Sequence, residues 1–189
     1  MSASRRISVV VGLAAVVLAT LSLSSAVPRA EAVFWVTGNG CWVHTVPRAA
    51  NRTVPIASGT IGNTDMRNAA LWEQNYWDYY TSLTLTSVDF WSSAVFQFDG
   101  NYGATNWVGL TTPNGCPSTS TQIQYNHHYL SGLSFTYKLN VACHEMGHAF
   151  GLNHINDTSS CMFASNSTTT APTWGEYNDV SWVYAARYP

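Results

Sequence analysis

Residues 143–162 read CHEMGHAFGLNHINDTSSCM and hold three histidines, a glutamate and glycines at spacings that could bind and use a metal ion. On a helix His144 and His148 lie four residues apart, so both imidazoles leave the same face and can grip one cation. Glu145 is turned about 100° from His144 around the helix axis. That places it to hold a water at the metal rather than to be a third ligand. Gly151 lacks a Cβ, which lets the chain bend sharply and bring His154 back to the same ion. Three neutral nitrogen ligands with an open fourth position are the donor set of a catalytic zinc site. Cys143 is the nearest group that could close the fourth position of a structural site, but as the neighbour of His144 it leaves the helix on another side. From composition alone the pattern of three His, Glu and Gly arises with a probability on the order of 10⁻⁵. Its spacing therefore carries information that a lone HExxH would not.

The helix that must carry these residues is expected over 136–150, with Leu139, Val141, Ala142, Met146 and Ala149 available for packing and Gly151 ending it in a left-handed conformation. An earlier helix is expected from Asn63 or Thr64 to about 81, where Ala69, Leu71, Trp72, Tyr76 and Tyr79 recur at helical spacing and Asp65 sits in the first turn. Between the two, stretches rich in Val, Phe, Trp and Thr at 83–90, 93–98, 107–111 and 121–125 are bounded by Gly, Asn and Pro, and read as strands. Residues 153–173 are mostly Ser, Thr and Asn, hence loop, and a last helix is expected over 176–188. No internal repeat or long linker divides the chain. Helix, strands, helix, loop, helix is the order of one α+β domain.

Composition narrows the function classes. Of the 189 residues 46% are hydrophobic and only 10% charged, against about 25% charged in an average domain, so neither a charged disordered tail nor a coiled coil fits. The net charge of −2 argues against nucleic acid as a partner. Arg5 and Arg6 precede an uncharged apolar run from 7 to 23, followed by small residues and the A-x-A pattern Ala30, Glu31, Ala32. Residues 1–32 are therefore expected to be a secretory signal peptide, with cleavage after Ala26 as the other position. Residues 33–189 then form a single secreted, extracellular domain with no membrane attachment, and a monomer is expected. Export permits disulfides, so Cys41, Cys116, Cys143 and Cys161 are expected to be bridged, and four cysteines allow three connectivities.

From His144 to His154 the chain matches every fixed position of HExxHxxGxxH and so resembles the metzincin clan of zinc endopeptidases. Within that clan it is most similar to the matrixin-like secreted peptidases. The resemblance extends to Met162, eight residues beyond His154, as the methionine of the family's Met-turn. Weaker similarity covers Tyr125, Asn126, Tyr129 and Leu130 ahead of the motif helix, and Tyr177, Asn178 and Asp179 in the last helix. It implies a twisted mixed sheet, an active-site helix, a Met-turn and a C-terminal helix. It also implies that His144, His148 and His154 bind one zinc ion, that Glu145 is the general base and then acid, and that Met162 is structural. Protein or peptide substrates would lie extended along an exposed strand edge, for which 107–111 is the candidate. If the turn lies under the helix as in the family, Cys143 pairs with Cys161, leaving Cys41 with Cys116. Two positions depart from the pattern: Ile155 stands where matrixins have Ser, and Ala164 where other metzincins have Tyr. No tyrosine is therefore assigned to the oxyanion.

Other residues carry less. Asp99, Asn101 and Gly103 share part of a calcium-loop pattern without its remaining ligands, so calcium has only weak support and a turn is expected. His127 and His128 are expected to face solvent or to hydrogen-bond rather than to form a second zinc site, because neighbours in a strand point opposite ways. Asn51, Asn156 and Asn166 begin N-x-Ser/Thr sequons. His44 has no evident partner. Eight Trp and ten Tyr raise the alternative of a catalytically inactive secreted binding module, for protein or carbohydrate, that keeps zinc for structure. Buried packing is the commoner use of such rings.

Overall fold

The computed structural model describes residues 52–114, 120–165 and 167–187. The expected signal segment, His44, Cys41, Cys116 and the sequons at Asn51 and Asn166 lie outside these residues. In chain order the elements are β1 (Thr53–Thr60), α1 (Thr64–Tyr80), β2 (Thr84–Ser87), a 3-10 turn (Phe90–Ser92), β3 (Val95–Gly100), β4 (Gly109–Asn114), β5 (Ser120–Asn126), α2 (His127–Leu130), α3 (Phe135–Ala149) and α4 (Trp174–Arg187). The strands form one mixed sheet in the order β2-β1-β3-β5-β4. The first four in that order are parallel, and β4 runs antiparallel to β5 at the end of the sheet.

β1 is absent from the strands read in the sequence, and Pro55 is the reason. Proline interrupts a run that otherwise alternates Val54 and Ile56 and signals an edge or a break. In the structure β1 is internal. Its pairing with β3 begins only at Ile56↔Val95, so the donor that Pro55 lacks falls at the end of that ladder, while its carbonyl accepts from Ala94 N at 2.8 Å. The stretch 83–90 divides into the short strand β2 and the 3-10 turn, and the strand expected at 107–111 is displaced to Gly109–Asn114.

The helices follow their sequence signals closely. Asn63 Oδ1 accepts from Met66 N at 2.9 Å and starts α1, and Ser134 caps α3 through Tyr137 N. α3 ends in a Schellman motif: Gly151 has φ +95°, its N–H donates to His148 O, and Leu152 N–H donates to Gly147 O, both at 3.0 Å. α4 begins earlier than expected because Thr173 and Glu176 form a capping box. Thr173 N–H donates to Glu176 Oε2 at 2.7 Å while Glu176 N–H points back to Thr173 Oγ1 at 3.4 Å. The core is one cluster in which Val54, Ile56, Val95 and Ile123 of the sheet meet Met66, Ala69 and Trp77 of α1, Ala142 and Met146 of α3, and Val180 of α4. Fully burying each large apolar side chain stabilises by roughly 1.5–3 kcal/mol, so the metal-motif helix is fixed on its apolar side by the same core that closes the sheet. None of the described helices is long and apolar enough to cross a membrane.

Candidate metal centre

His144 and His148 project from the last two turns of α3, and the bend at Gly151 returns His154 to meet them. The three Nε2 atoms lie 3.0 Å (144–154), 3.0 Å (144–148) and 3.1 Å (148–154) apart. Ligands held at about 2.0–2.1 Å around a tetrahedral ion stand roughly 3.3 Å apart, so the set is close to zinc size. The opposite ring atoms are already engaged. Nδ1 of His144 is 2.7 Å from Cys161 O, and Nδ1 of His148 is 2.8 Å from Leu152 O. A carbonyl oxygen can only accept, so both Nδ1 atoms carry the proton and both Nε2 atoms present lone pairs to the centre. The lone pairs of His144 and His148 thus converge on a point that suits a cation, with His154 Nε2 beside them. Burial pulls the His144 imidazole down to about 4 and His148 to about 3, the latter also pushed by His144. Burial lowers His154 as well. All three are thus neutral near pH 7, the form that binds metal.

Glu145 does not join this set. It turns towards β4, where Thr111 Oγ1 lies 2.7 Å from Glu145 Oε2 and 2.9 Å from Glu145 O. Burial raises its carboxyl to about 7, against the opposing effect of the Thr111 hydroxyl. Gly109 is what admits it: a Cβ there would stand 2.5 Å from Glu145 Oε1 and 2.6 Å from Glu145 Cγ. His144, Glu145 and His154 line an open cleft of about 250 Å³, completed by residues 106–109 ahead of and at the start of β4, by Tyr137, Asn140 and Val141 of α3, and by residues 163–165. The cleft therefore runs between the motif helix and the terminal strand of the sheet.

The turn that carries Met162 lies against the same helix. Cys143 and Cys161 form a disulfide with 6.1 Å between their Cα atoms. Met162 is fully buried, and its Sδ would stand 2.3 Å from a Cβ at Gly147. Ile155 N–H donates to Met162 O at 3.1 Å, tying the segment after His154 to the turn. Ser160 holds the turn from within, its Oγ accepting from Met162 N at 2.9 Å and donating to Glu176 Oε2 at 2.7 Å. Gly109, Thr111, Gly147, Ser160 and Glu176 were not singled out in the sequence. Only Glu176 carried a local signal, the Thr173-x-x-Glu176 capping box.

The remaining expected residues lie elsewhere. His127 opens the one-turn α2, not a strand, and its Nε2 is 2.6 Å from Asp99 Oδ2. Asp99 also accepts from Gly62 N and Asn63 N, each at 2.8 Å, so its two oxygens organise the entry to α1. Asn101 forms a turn through Gly103 N, and Asn126 staples that turn by donating to Gly103 O and Thr105 Oγ1. His128 and Asn156 are exposed. Among the described residues, His144, His148 and His154 are the only group of three His, Cys, Asp or Glu poised for a metal.

A mixed sheet, a helix presenting two imidazoles and an adjacent carboxyl, a third imidazole after a glycine bend, and a buried methionine under that helix define a metzincin-type metallopeptidase domain. The matrixin family model matches residues 53–184, and the chain belongs to that family. Comparison with curated proteins gives no match. Matrixins are zinc metalloendopeptidases, so zinc is the metal that the family and the donor set jointly indicate.

Proposed function

We propose that this chain is a secreted zinc-dependent endopeptidase that hydrolyses peptide bonds in proteins, with Glu145 as general base and acid. The observation that carries the reading is the trio of Nε2 atoms 3.0–3.1 Å apart beside a carboxyl raised to about 7, in an open cleft along a sheet edge. His144, His148 and His154 hold the ion. Bound zinc supplies a Lewis acid for the scissile carbonyl and acidifies water at its open position. Glu145 takes the proton from the attacking water and delivers it to the departing amine, and a carboxyl poised near the working pH suits both steps. β4, last in the sheet among the described residues and antiparallel, offers its outer edge to an extended peptide. Export rests on the basic pair, apolar run and A-x-A pattern of residues 1–32.

The test is casein hydrolysis by the purified protein with and without a chelator, alongside zinc analysis of Glu145→Ala. The native protein is expected to bind one zinc and to lose activity on chelation. The variant should keep its zinc and lose about 10²–10⁴-fold in turnover. Near-normal turnover by the variant removes Glu145 from this role, and a native protein that takes up no zinc removes the reading itself. Recovery from the medium of a chain beginning near Val33 or Val27 supports export, and an uncleaved cell-bound chain contradicts it.

A further inference from the structure

We propose that Thr111 is a positioning residue that holds the Glu145 carboxylate from the edge strand, a role that rests on the peptidase reading above. Gly109 pairs with Tyr125 and Thr111 with Ile123 across the β4–β5 ladder, and both partners are fully buried. Gly109 and Thr111, two residues apart, therefore share the face of β4 turned towards α3. The first offers space and the second a donor. Any side chain at Gly109 would enter the volume of the Glu145 carboxyl. Thr111, 4% exposed, has one hydroxyl proton and two acceptors within reach, Glu145 Oε2 at 2.7 Å and Glu145 O at 2.9 Å.

Two consequences follow from that geometry. While the carboxylate is charged, the hydroxyl donates to Oε2, which fixes the side-chain torsions and leaves Oε1, which accepts no hydrogen bond among the described residues, for the reacting water. The strand that offers its edge to substrate thus also places the base, so peptide and base are registered by one element. Misplacing a reacting group by about 1 Å costs on the order of 10²-fold in rate, which gives a single buried hydroxyl kinetic leverage.

The experiment is steady-state kinetics on a fluorogenic peptide, with zinc content and thermal unfolding measured on the same preparations. Thr111→Val keeps the shape and removes the donor; it is expected to lower kcat about 10–100-fold with KM within twofold and zinc unchanged. Thr111→Ser restores the hydroxyl and should recover most of kcat. If the valine variant does not fold, Thr111→Ala replaces it in the comparison with Thr111→Ser. Gly109→Ala, which forces the carboxylate out of its slot, should also lose kcat while retaining zinc. A kcat within twofold of native for valine or alanine at position 111, an effect confined to KM, or equal losses with and without the hydroxyl overturns the proposal. An inactive, zinc-free native protein overturns the peptidase reading and Thr111's role with it, and is recognised because the unsubstituted chain already fails.

Discussion

Glu73 sits on α1 with 1% of its surface exposed, and neither carboxyl oxygen has a hydrogen-bond partner among the described residues. Desolvation with no compensating partner raises its pKa from 4.5 to about 8. Tyr177 is raised chiefly by its own burial and next by Glu73, and Tyr125 by its burial, then Glu145, then Glu73. The sign of the linkage follows. Below about pH 4.5 folded and unfolded chains both hold the proton and the site costs nothing extra. Between 4.5 and 8 the unfolded carboxyl ionises while the folded one does not, so stability falls with rising pH by about 1.4 kcal/mol per unit. Above 8 the loss levels off, at roughly 4–5 kcal/mol relative to acid. Glu73→Gln keeps the shape and cannot ionise. The variant should match the native protein near pH 4.5 apart from a constant offset, and its advantage should grow by a few kcal/mol at pH 8. Urea unfolding of both proteins at matched zinc loading, at pH 5 and pH 8, reads this directly, because contributions from Glu145 and the imidazoles cancel in the difference. A stability difference that does not change between the two pH values would refute the reasoning and show that the carboxyl is already ionised or hydrated in the fold.

Other perturbations probe the support of the metal site. Gly147→Ala places a methyl group within 2.3 Å of Met162 Sδ and should destabilise by about 1–3 kcal/mol through overpacking, read as a lower urea midpoint. Gly147→Ala with Met162→Ala, which makes room for the methyl, should lose less than the two single changes summed. Replacing Cys143 and Cys161 by serine opens a loop with a sequence separation of 18 and should cost about 3 kcal/mol on loop-entropy grounds. The same variant should release zinc faster on competition with a chelator, because Cys161 O also orients His144.

The convergence of the three histidines is legible in the sequence because its geometry is local. His144 and His148 need only helical periodicity, and His154 needs only the bend at Gly151, so a dozen consecutive residues describe the centre. The ends of α1 and α3 were equally local, set by Asn63 and by the Gly151 cap. What escaped was set by distant partners. Thr111 and Gly109 matter only because β4 packs beside Glu145, 34 residues away for the hydrogen-bonded pair, and no periodicity within residues 107–111 announces that. β1 was hidden by Pro55, harmless only because the β3 ladder starts one residue later. For His127 and His128 the sequence suggests strand geometry, whereas Asn126 Oδ1 accepts from His128 N and turns the chain into α2.

Helix α3 is engaged on every side between its first two imidazoles. From Cys143 to His148 each successive residue meets a different neighbour. Cys143 is covalently bound to Cys161, His144 faces the other imidazoles, Glu145 reaches Thr111, Met146 is fully buried in the core, Gly147 receives Met162, and His148 faces the imidazoles again. A helix with 3.6 residues per turn presents every direction within four residues, so no side of this segment is left to solvent alone. The disulfide and Met162 fix the helix against the turn, Thr111 fixes it against the sheet, and the Schellman motif at Gly151 fixes the approach of His154. These contacts position His144 and His148 on the helix, and their Nδ1–H groups are held by Cys161 O and Leu152 O. The Nε2 lone pairs of those two rings are thereby aimed at one point, where a cation would be met without rearranging the helix. Under the peptidase reading proposed above, such a frame would hold an ion with three ligands and leave a fourth position for chemistry.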